Sequence, residues 1–262
     1  MANSRTKIFR VEYLLSVLSI SLLLLGWFAL ASSGKVSDVL VPSPQAVLHS
    51  FHHILVDGYK GASLWEHLAV SMFRLLGSFA LVIATAVPLG LASGYSSKFA
   101  AMLDPLVEFY RPLPPLAYYT LLVIWMGIEN PSKFALLYLA GFAPVYVACC
   151  AGVRRIKREF VLGAQSLGAS KSQIFFHVIL PATLPDIFTG IKTALGVAYT
   201  TLVAAEMVAA ESGVGWMVLD ASKFLQSDVV FVGIFVMGTT GVLLTLGITF
   251  LENRVVPWRG KE

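Results

Sequence analysis

Four long stretches of this chain lack Asp, Glu, Lys and Arg altogether: those bounded by Glu12 and Lys35, Arg74 and Lys98, Lys133 and Arg154, and Asp228 and Glu252. A helix of about 20 apolar residues crosses the hydrocarbon core of a bilayer, and each stretch meets that length. The chain is 57% hydrophobic and only 13% charged, whereas a soluble domain carries about 25% charged residues. Lipid is therefore the natural solvent for its apolar surface. Two shorter stretches, Arg111 to Glu129 and Lys192 to Glu206, add weaker spans, and the fifth must accommodate Lys192 by letting its long side chain snorkel. The pattern predicts an all-α, polytopic membrane protein forming a single transmembrane domain over 1–262. Six helices are expected at about 12–33, 66–95, 102–127, 131–152, 184–210 and 229–252. A cleaved signal peptide is the competing reading of the first span, given Arg5, Lys7 and Arg10 ahead of it and Ala29-Leu30-Ala31 behind. The apolar run exceeds the usual 7–15 residues of a signal core, and five more spans follow it, so a retained helix is expected.

Orientation follows from lysine and arginine. With the N-terminus inside, twelve fall on the cytoplasmic side, including Arg5, Lys7, Arg10, Lys98, the cluster Arg154-Arg155-Ile156-Lys157-Arg158, Arg254, Arg259 and Lys261. Four, namely Lys35, Lys60, Lys133 and Lys223, fall outside. That bias places both termini in the cytoplasm. An outward segment of about 34–65 then holds Pro42-Ser43-Pro44, a good helix start with Ser43 as N-cap and Pro44 in the first turn. Val47, Leu48, Phe51, Ile54 and Leu55 follow at helical spacing, as in a short interfacial helix. His49, His52 and His53 lie on its polar side and are not read as a metal site.

The longest cytoplasmic loop, about 152–183, begins with the basic cluster. It continues through Phe160, Leu162, Ala164 and Leu167 at helical spacing, and Pro181 and Pro185 are expected to break the chain before the fifth span. A helix this short is not stable alone, so it calls for a docking partner. Gly163-x-x-x-x-Gly168 imitates half of a phosphate-binding loop, but Ala169 replaces the lysine and no strand precedes it. Gly213-x-Gly215 is too short for a dinucleotide fingerprint. Gly90-x-x-x-Gly94 is a small-residue pattern for close helix contact, expected within the chain. Adjacent Cys149 and Cys150 read as packing residues. No nucleophile–base or metal-ligand arrangement is evident, so no catalytic residue or metal ligand is assigned.

The loop also carries a recognisable signature. Gly168 is followed by nine residues and then Val178-Ile179-Leu180-Pro181, which resembles the loop of binding-protein-dependent ABC permeases. That family reads Glu-Ala-Ala, three residues, Gly, nine residues, Ile-x-Leu-Pro. Leu162-Gly163-Ala164 stands where the family has Glu-Ala-Ala, so the carboxylate is lost. Pro42-Ser43-Pro44-x-x-Val47, Tyr110-Arg111-Pro112-Leu113-Pro114-Pro115-Leu116-Ala117 and Ile124-Trp125-Met126-Gly127-Ile128 resemble the permeases for taurine, alkanesulfonates and nitrate. Asp104 to Pro112, Ala164 to Ser170, Thr201 to Glu206 and Pro257-Trp258-Arg259-Gly260 look like the taurine branch. The resemblance implies a type I ABC importer permease fold. It implies two copies around one pathway, a periplasmic binding protein that delivers substrate, and two ATPase subunits that bind the ATP and magnesium, with no cofactor in this chain. It further implies a coupling helix that docks on the ATPase, which assigns Leu162, Gly163, Ala164, Leu167, Gly168, Ala169, Ser170, Leu180 and Pro181 to coupling.

Residues within the spans suggest the pathway. Irregular backbone at membrane depth is tolerated only against protein or a wet cavity, which makes Pro112, Pro114 and Pro115 pathway candidates; the plainer reading is a kinked packing helix. Arg74 and Arg111 are costly at depth and should face a cavity or a carboxylate. Glu108, three residues before Arg111 on the same face, is the expected local partner. Glu206 is expected near the outer end of the fifth span, in an exposed position, as a gate or pairing residue. Two rivals of other classes are an ion-coupled secondary transporter, which would carry midspan acidic relays and an internal repeat, and a membrane scaffold. Import of alkanesulfonates or nitrate is the rival within the family.

Overall fold

The computed structural model describes residues 2–258, with side chains from residue 14 onward. The side chains of Arg5, Lys7 and Arg10, and all of Arg259, Gly260 and Lys261, lie outside the described residues. Those described form helices and turns, with no strand among them: α1 Ala2–Ser32, α2 Pro44–Val56, α3 Leu64–Tyr95, α4 Ser97–Tyr110, α5 Pro115–Met126, α6 Asn130–Arg155, α7 Arg158–Ser166, α8 Lys171–Ile174, α9 Leu180–Ala209, α10 Val214–Lys223 and α11 Ser227–Val255. Five helical runs are long and apolar enough to cross a membrane: Leu14–Ser32, Leu64–Tyr95, Asn130–Arg155, Lys171–Ala209 and Ser227–Val255.

The third expected span, 102–127, is broken where its three prolines make a regular helix unlikely. It is two pieces, α4 and α5, separated at Arg111 to Pro114. Pro114 and Pro115 supply the cap and first turn of α5, because proline is tolerated there and its missing N–H costs nothing. At 1.5 Å per residue the 12 residues of α5 reach about 18 Å, short of the roughly 30 Å hydrocarbon core. Tyr119, buried in α5, holds this half-length helix to α9 by donating to the Ala205 carbonyl at 3.4 Å.

The expected break at Pro181 and Pro185 is also absent. Helix continues from Lys171 to Ala209 by passing through a π-turn, Phe175–Ile179. Leu180 N–H reaches back five residues to the Phe175 carbonyl, and this wider turn accommodates the proline that follows. His177 Nδ1 and Thr183 Oγ1 donate to the Gln173 and Ile179 carbonyls at 3.1 and 2.8 Å, which satisfies backbone around the irregular turn.

The chain packs as two compact units. The first comprises the segment up to Leu64 together with Met217–Phe235. Ser43 caps α2 as its sequence predicts, its Oγ accepting from Ala46 N–H at 3.2 Å. Trp27 stacks on Phe231 with ring centroids 5.6 Å apart. Lys60 Nζ lies 3.0 Å from Asp220, and the Tyr59 hydroxyl donates to the same carboxylate at 2.9 Å. Burial alone would raise the Asp220 carboxyl, but the Lys60 and Tyr59 hydrogen bonds hold it below its usual range. Residues 14–26 of α1 are exposed all round, as expected of a helix whose neighbours are lipid chains.

The second unit comprises Trp65–Trp216 and the chain from Val236. Its core forms where α3, α6 and α9 meet, around buried Leu75, Val82, Leu137, Val145, Ala194 and Leu202. Glycines set the α3–α6 distance. A Cβ on Gly90 would lie 2.7 Å from the Cys149 Cβ and from the Tyr146 carbonyl oxygen, and one on Gly94 would lie 2.6 Å from the Val153 Cβ. The Gly90/Gly94 pattern is thus an intrachain seam, and buried Cys149 and Cys150 are free thiols within it. Lys192 does not snorkel; it pairs with Glu252 of α11 at 2.5 Å.

Replacing Gly90 or Gly94 with Leu forces α3 from α6 and should cost about 1–3 kcal/mol or more. Gly247, with nothing within 4 Å of a Cβ, should accept Leu with little change. The melting temperatures of the purified, detergent-solubilised variants check this ordering.

Candidate functional site

The second unit gathers its charged and polar side chains at two places. The first lies where α3 begins and α9 ends. Arg74 and Glu206 form an ion pair there, Nη1 to Oε1 2.8 Å, with side chains only 5% and 1% exposed. Ser71, one helical turn before Arg74, donates its hydroxyl to the Glu206 carboxylate at 2.8–2.9 Å. The same carboxylate accepts Gly215 N–H at 2.9 Å. Arg74 spends its remaining donors on Asn130 Oδ1 and the Ser212 carbonyl, both at 2.8 Å. Ser71 Oγ accepts Val214 N–H at 3.0 Å, and His67 Nδ1 accepts Gly213 N–H at 3.2 Å.

The arrangement locks the loop after α9 onto α3. Three successive backbone N–H groups, of Gly213, Val214 and Gly215, each find a side-chain acceptor. Only glycine fits at 213: φ is +120°, and a Cβ would lie 2.4 Å from the Glu206 carboxylate. Glu206 is therefore buried and paired, which corrects the expectation of an exposed position. Arg74 faces a carboxylate, as its cost at depth demands. Sequence reasoning missed Ser71, His67, Asn130 and the loop glycines. Gly213-x-Gly215 was the available signal, read only against dinucleotide motifs.

The second place lies at the other end of α6. One face of α4 carries Asp104, Glu108 and Arg111, and the last turns of α6 carry Tyr146, Arg154 and Arg155. Between them lies a cavity of about 430 Å³. Asp104 accepts from the Tyr146 hydroxyl at 2.6 Å and from Arg154 at 3.0 Å. Arg155 donates to both oxygens of Asp186 on α9 at 2.8 and 2.7 Å. The expected Glu108–Arg111 ion pair is not formed among the described residues; both side chains are exposed and face the cavity. Pro112 and Pro114 are exposed and Pro115 half-buried at the adjoining break. The pathway candidates thus split: Glu108, Arg111 and the prolines lie together, while Arg74 and Glu206 form a separate lock. Asn130 marks one end of α6 and Arg154 the other, about 35 Å apart at 1.5 Å per residue.

The coupling candidates form an elbow. Helix α7 ends at Leu167, and Gly168 adopts φ +79°. Gly168 N–H bonds the Gln165 carbonyl at 2.9 Å and Ala169 N–H bonds the Ala164 carbonyl at 3.1 Å, a Schellman closure that favours glycine at this position. Ser170 then starts α8 with a capping box: its Oγ accepts Gln173 N–H at 3.3 Å, and Gln173 Oε1 accepts Ser170 N–H at 2.8 Å. No residue of α7 is buried. Leu167 is 90% exposed, and Leu162 is also exposed. Around Gly163 a Cβ would meet open space. Leu180 and Pro181 are half-buried at the start of α9.

Truncating either member of the buried pair strands the other charge, a loss of about 3–5 kcal/mol. Arg74→Ala and Glu206→Ala should each destabilise that much, and Ser71→Ala, which removes one hydroxyl, only about 1–3 kcal/mol. Combining Arg74→Ala with Glu206→Ala should cost less than the sum, because they share one interaction. Thermal unfolding of the purified single and double variants tests the ranking.

Known proteins match the chain across both places. The family model described as "Binding-protein-dependent transport system inner membrane component" matches residues 86–257, spanning the cavity, the elbow and Glu206. The "Taurine transport system permease protein TauC" of Escherichia coli (strain K12) is 44% identical over 248 residues, 94% of this chain and 90% of that protein. The "Putative aliphatic sulfonates transport permease protein SsuC" of the same organism is 36% identical over 232 residues, 88% and 87% of the two chains. The "Nitrate import permease protein NrtB" of Synechocystis sp. (strain ATCC 27184 / PCC 6803 / Kazusa) is 27% identical over 260 residues, 97% and 94%. With two thirds of its length inside the family model and its apolar helices arranged as a multi-pass membrane protein, the chain belongs to the binding-protein-dependent transport system inner membrane components, the permeases of ABC importers.

Proposed function

We propose that this chain is the permease subunit of an ATP-driven importer for taurine, sited in a bacterial inner membrane with both termini in the cytoplasm. Two copies line one pathway. A periplasmic binding protein delivers substrate to the outer face, and two separate ATPase subunits hold the ATP and magnesium. The chain itself hydrolyses nothing. The orientation rests on the basic residues gathered at Arg154 to Arg158 and near both termini. The 44% identity to a taurine permease supports taurine as cargo; alkanesulfonate import is the second reading, supported by the 36% identity to an aliphatic sulfonate permease.

The observation that carries this reading is the exposed elbow. A Schellman-closed turn at Gly168 and a capping box at Ser170 fix an angle between α7 and α8, while α7 has no fully buried residue and only Val161 and Ala164 pack, half-buried, against the core. Phe160, Leu162 and Leu167 are all exposed on this one short segment, and apolar surface gathered in this way, rather than scattered singly, suits a docking partner. An ATPase groove that receives this elbow turns nucleotide-driven closure into movement of the helix running on into α9.

The test is taurine uptake by proteoliposomes that hold the permease, its ATPase and the loaded binding protein. Uptake should require ATP and stop with vanadate. Gly168→Leu places a branched side chain in a left-handed conformation, at a cost of about 1–2 kcal/mol. It should lower uptake about tenfold, the change that a shift of about 1.4 kcal/mol in the docked state implies, while the variant still reaches the membrane. Normal uptake by Gly168→Leu, or uptake driven by an ion gradient without ATP, would overturn the reading.

A further inference from the structure

Once the hydrogen bonds and ion pairs around the cavity between α4 and α6 are assigned, two opposite charges are left over. Asp104 is held by Tyr146 and Arg154. Arg155 is committed to both oxygens of Asp186. The Glu108 and Arg111 side chains have neither an ionic nor a hydrogen-bonding partner among the described residues, although both face the same space of about 430 Å³. A volume of this order is typical of small-molecule sites, about 300–1,000 Å³.

The geometry sets the chemistry of a ligand. Residues three apart on a helix leave the same face with Cβ atoms about 5–6 Å apart. Arg111 offers a fork of N–H donors suited to a tetrahedral oxyanion, and Glu108 accepts from an ammonium. A ligand with only a negative charge satisfies Arg111 but meets repulsion from Glu108. A ligand with both charges on a short spacer answers both residues at once. We infer that this cavity is a binding station for a compact zwitterion, with the acidic group on Arg111 and the ammonium on Glu108. The broken backbone at Pro112 to Pro114 adjoins the station. In the proposed orientation it faces the cytoplasm, so it holds substrate at release and lets the permease itself select zwitterions over simple sulfonates or nitrate. The identity of the delivered ligand rests on the taurine reading; the charge pattern does not.

The experiment is equilibrium dialysis of radiolabelled taurine against the permease–ATPase complex in nanodiscs, with the binding protein omitted. Taurine should bind saturably, and Glu108→Gln and Arg111→Gln should each weaken binding about tenfold or more, the scale of a lost charge-assisted hydrogen bond. Ethanesulfonate, which lacks the ammonium, should compete less well than taurine for the wild type and as well as taurine for Glu108→Gln. The exchanged double variant, Glu108→Arg with Arg111→Glu, should recover much of the binding, because a zwitterion can turn end for end; damage to the fold gives no such recovery. Unchanged binding in both single variants, equal competition by ethanesulfonate in the wild type, or no saturable binding of taurine or β-alanine overturns the station. Charge-dependent binding of β-alanine by an importer that does not take up taurine keeps the station and removes the substrate reading. Taurine uptake with no effect of either single variant on binding removes the station alone.

Discussion

In hydrocarbon no water stands by to accept or donate, so every backbone N–H and C=O must be satisfied by the protein. That demand shapes each irregular feature of the second unit. Where the helix must pass Pro181, a π-turn widens the coil, and His177 and Thr183 bond carbonyls at the irregularity. Where the chain leaves α9 for α10, His67, Ser71 and Glu206 take the N–H groups of three consecutive loop residues. At Arg111 to Pro114 neither device is used. Proline has no N–H to satisfy, so three prolines within four positions reduce the donor problem at its source, and the N–H groups that remain, of Arg111 and Leu113, bond the Val107 and Tyr110 carbonyls at 2.9 and 3.0 Å.

The two ends of α6 treat charge in opposite ways. At the Asn130 end, Arg74 and Glu206 are sealed from solvent and saturated by neighbours, including two backbone groups of the loop. Such a pair contributes little net stability over an apolar replacement, but it enforces one geometry, since any misregister strands a buried charge. At the Arg154 end the charges stay accessible. Asp104, Arg154, Arg155 and Asp186 tie α4, α6 and α9 together through partly exposed pairs, which are individually weak. Charge at one end is therefore buried and saturated and at the other partly exposed and weakly held.

Much of this was legible in the sequence. The charge-free runs located the long helices, Ser43-Pro44 located the start of α2, and Gly90-x-x-x-Gly94 located the α3–α6 seam. Most of the failures depended on tertiary partners. Local proline rules predicted a break at Pro181 and Pro185, yet packing of α9 against α6 retains the helix. Hydropathy joined α4 and α5 into one span, because it does not register the exposed turn between them. Local spacing paired Glu108 with Arg111, and depth alone left Glu206 exposed and Lys192 snorkelling. In the fold, Glu206 meets a partner 132 residues away and Lys192 one 60 residues away, contacts that no local pattern specifies.

The continuity of helix from Lys171 to Ala209 gives these pieces a mechanical relation. Its 39 residues extend about 58 Å at 1.5 Å per residue, well beyond the hydrocarbon thickness of about 30 Å. The rod is thus longer than the bilayer core, with the elbow at Gly168 beyond one end and Glu206 near the other. Asp186, one turn and a half past Pro181, is gripped by Arg155, so a displacement at the elbow is felt first at the wall of the α4–α6 cavity. The π-turn Phe175–Ile179 lies between elbow and grip. Under the proposed coupling role, force applied at Leu167 is passed along this rod to the end of the unit whose charge pairs are partly exposed, while the buried Arg74–Glu206 pair at the other end is the natural fixed point.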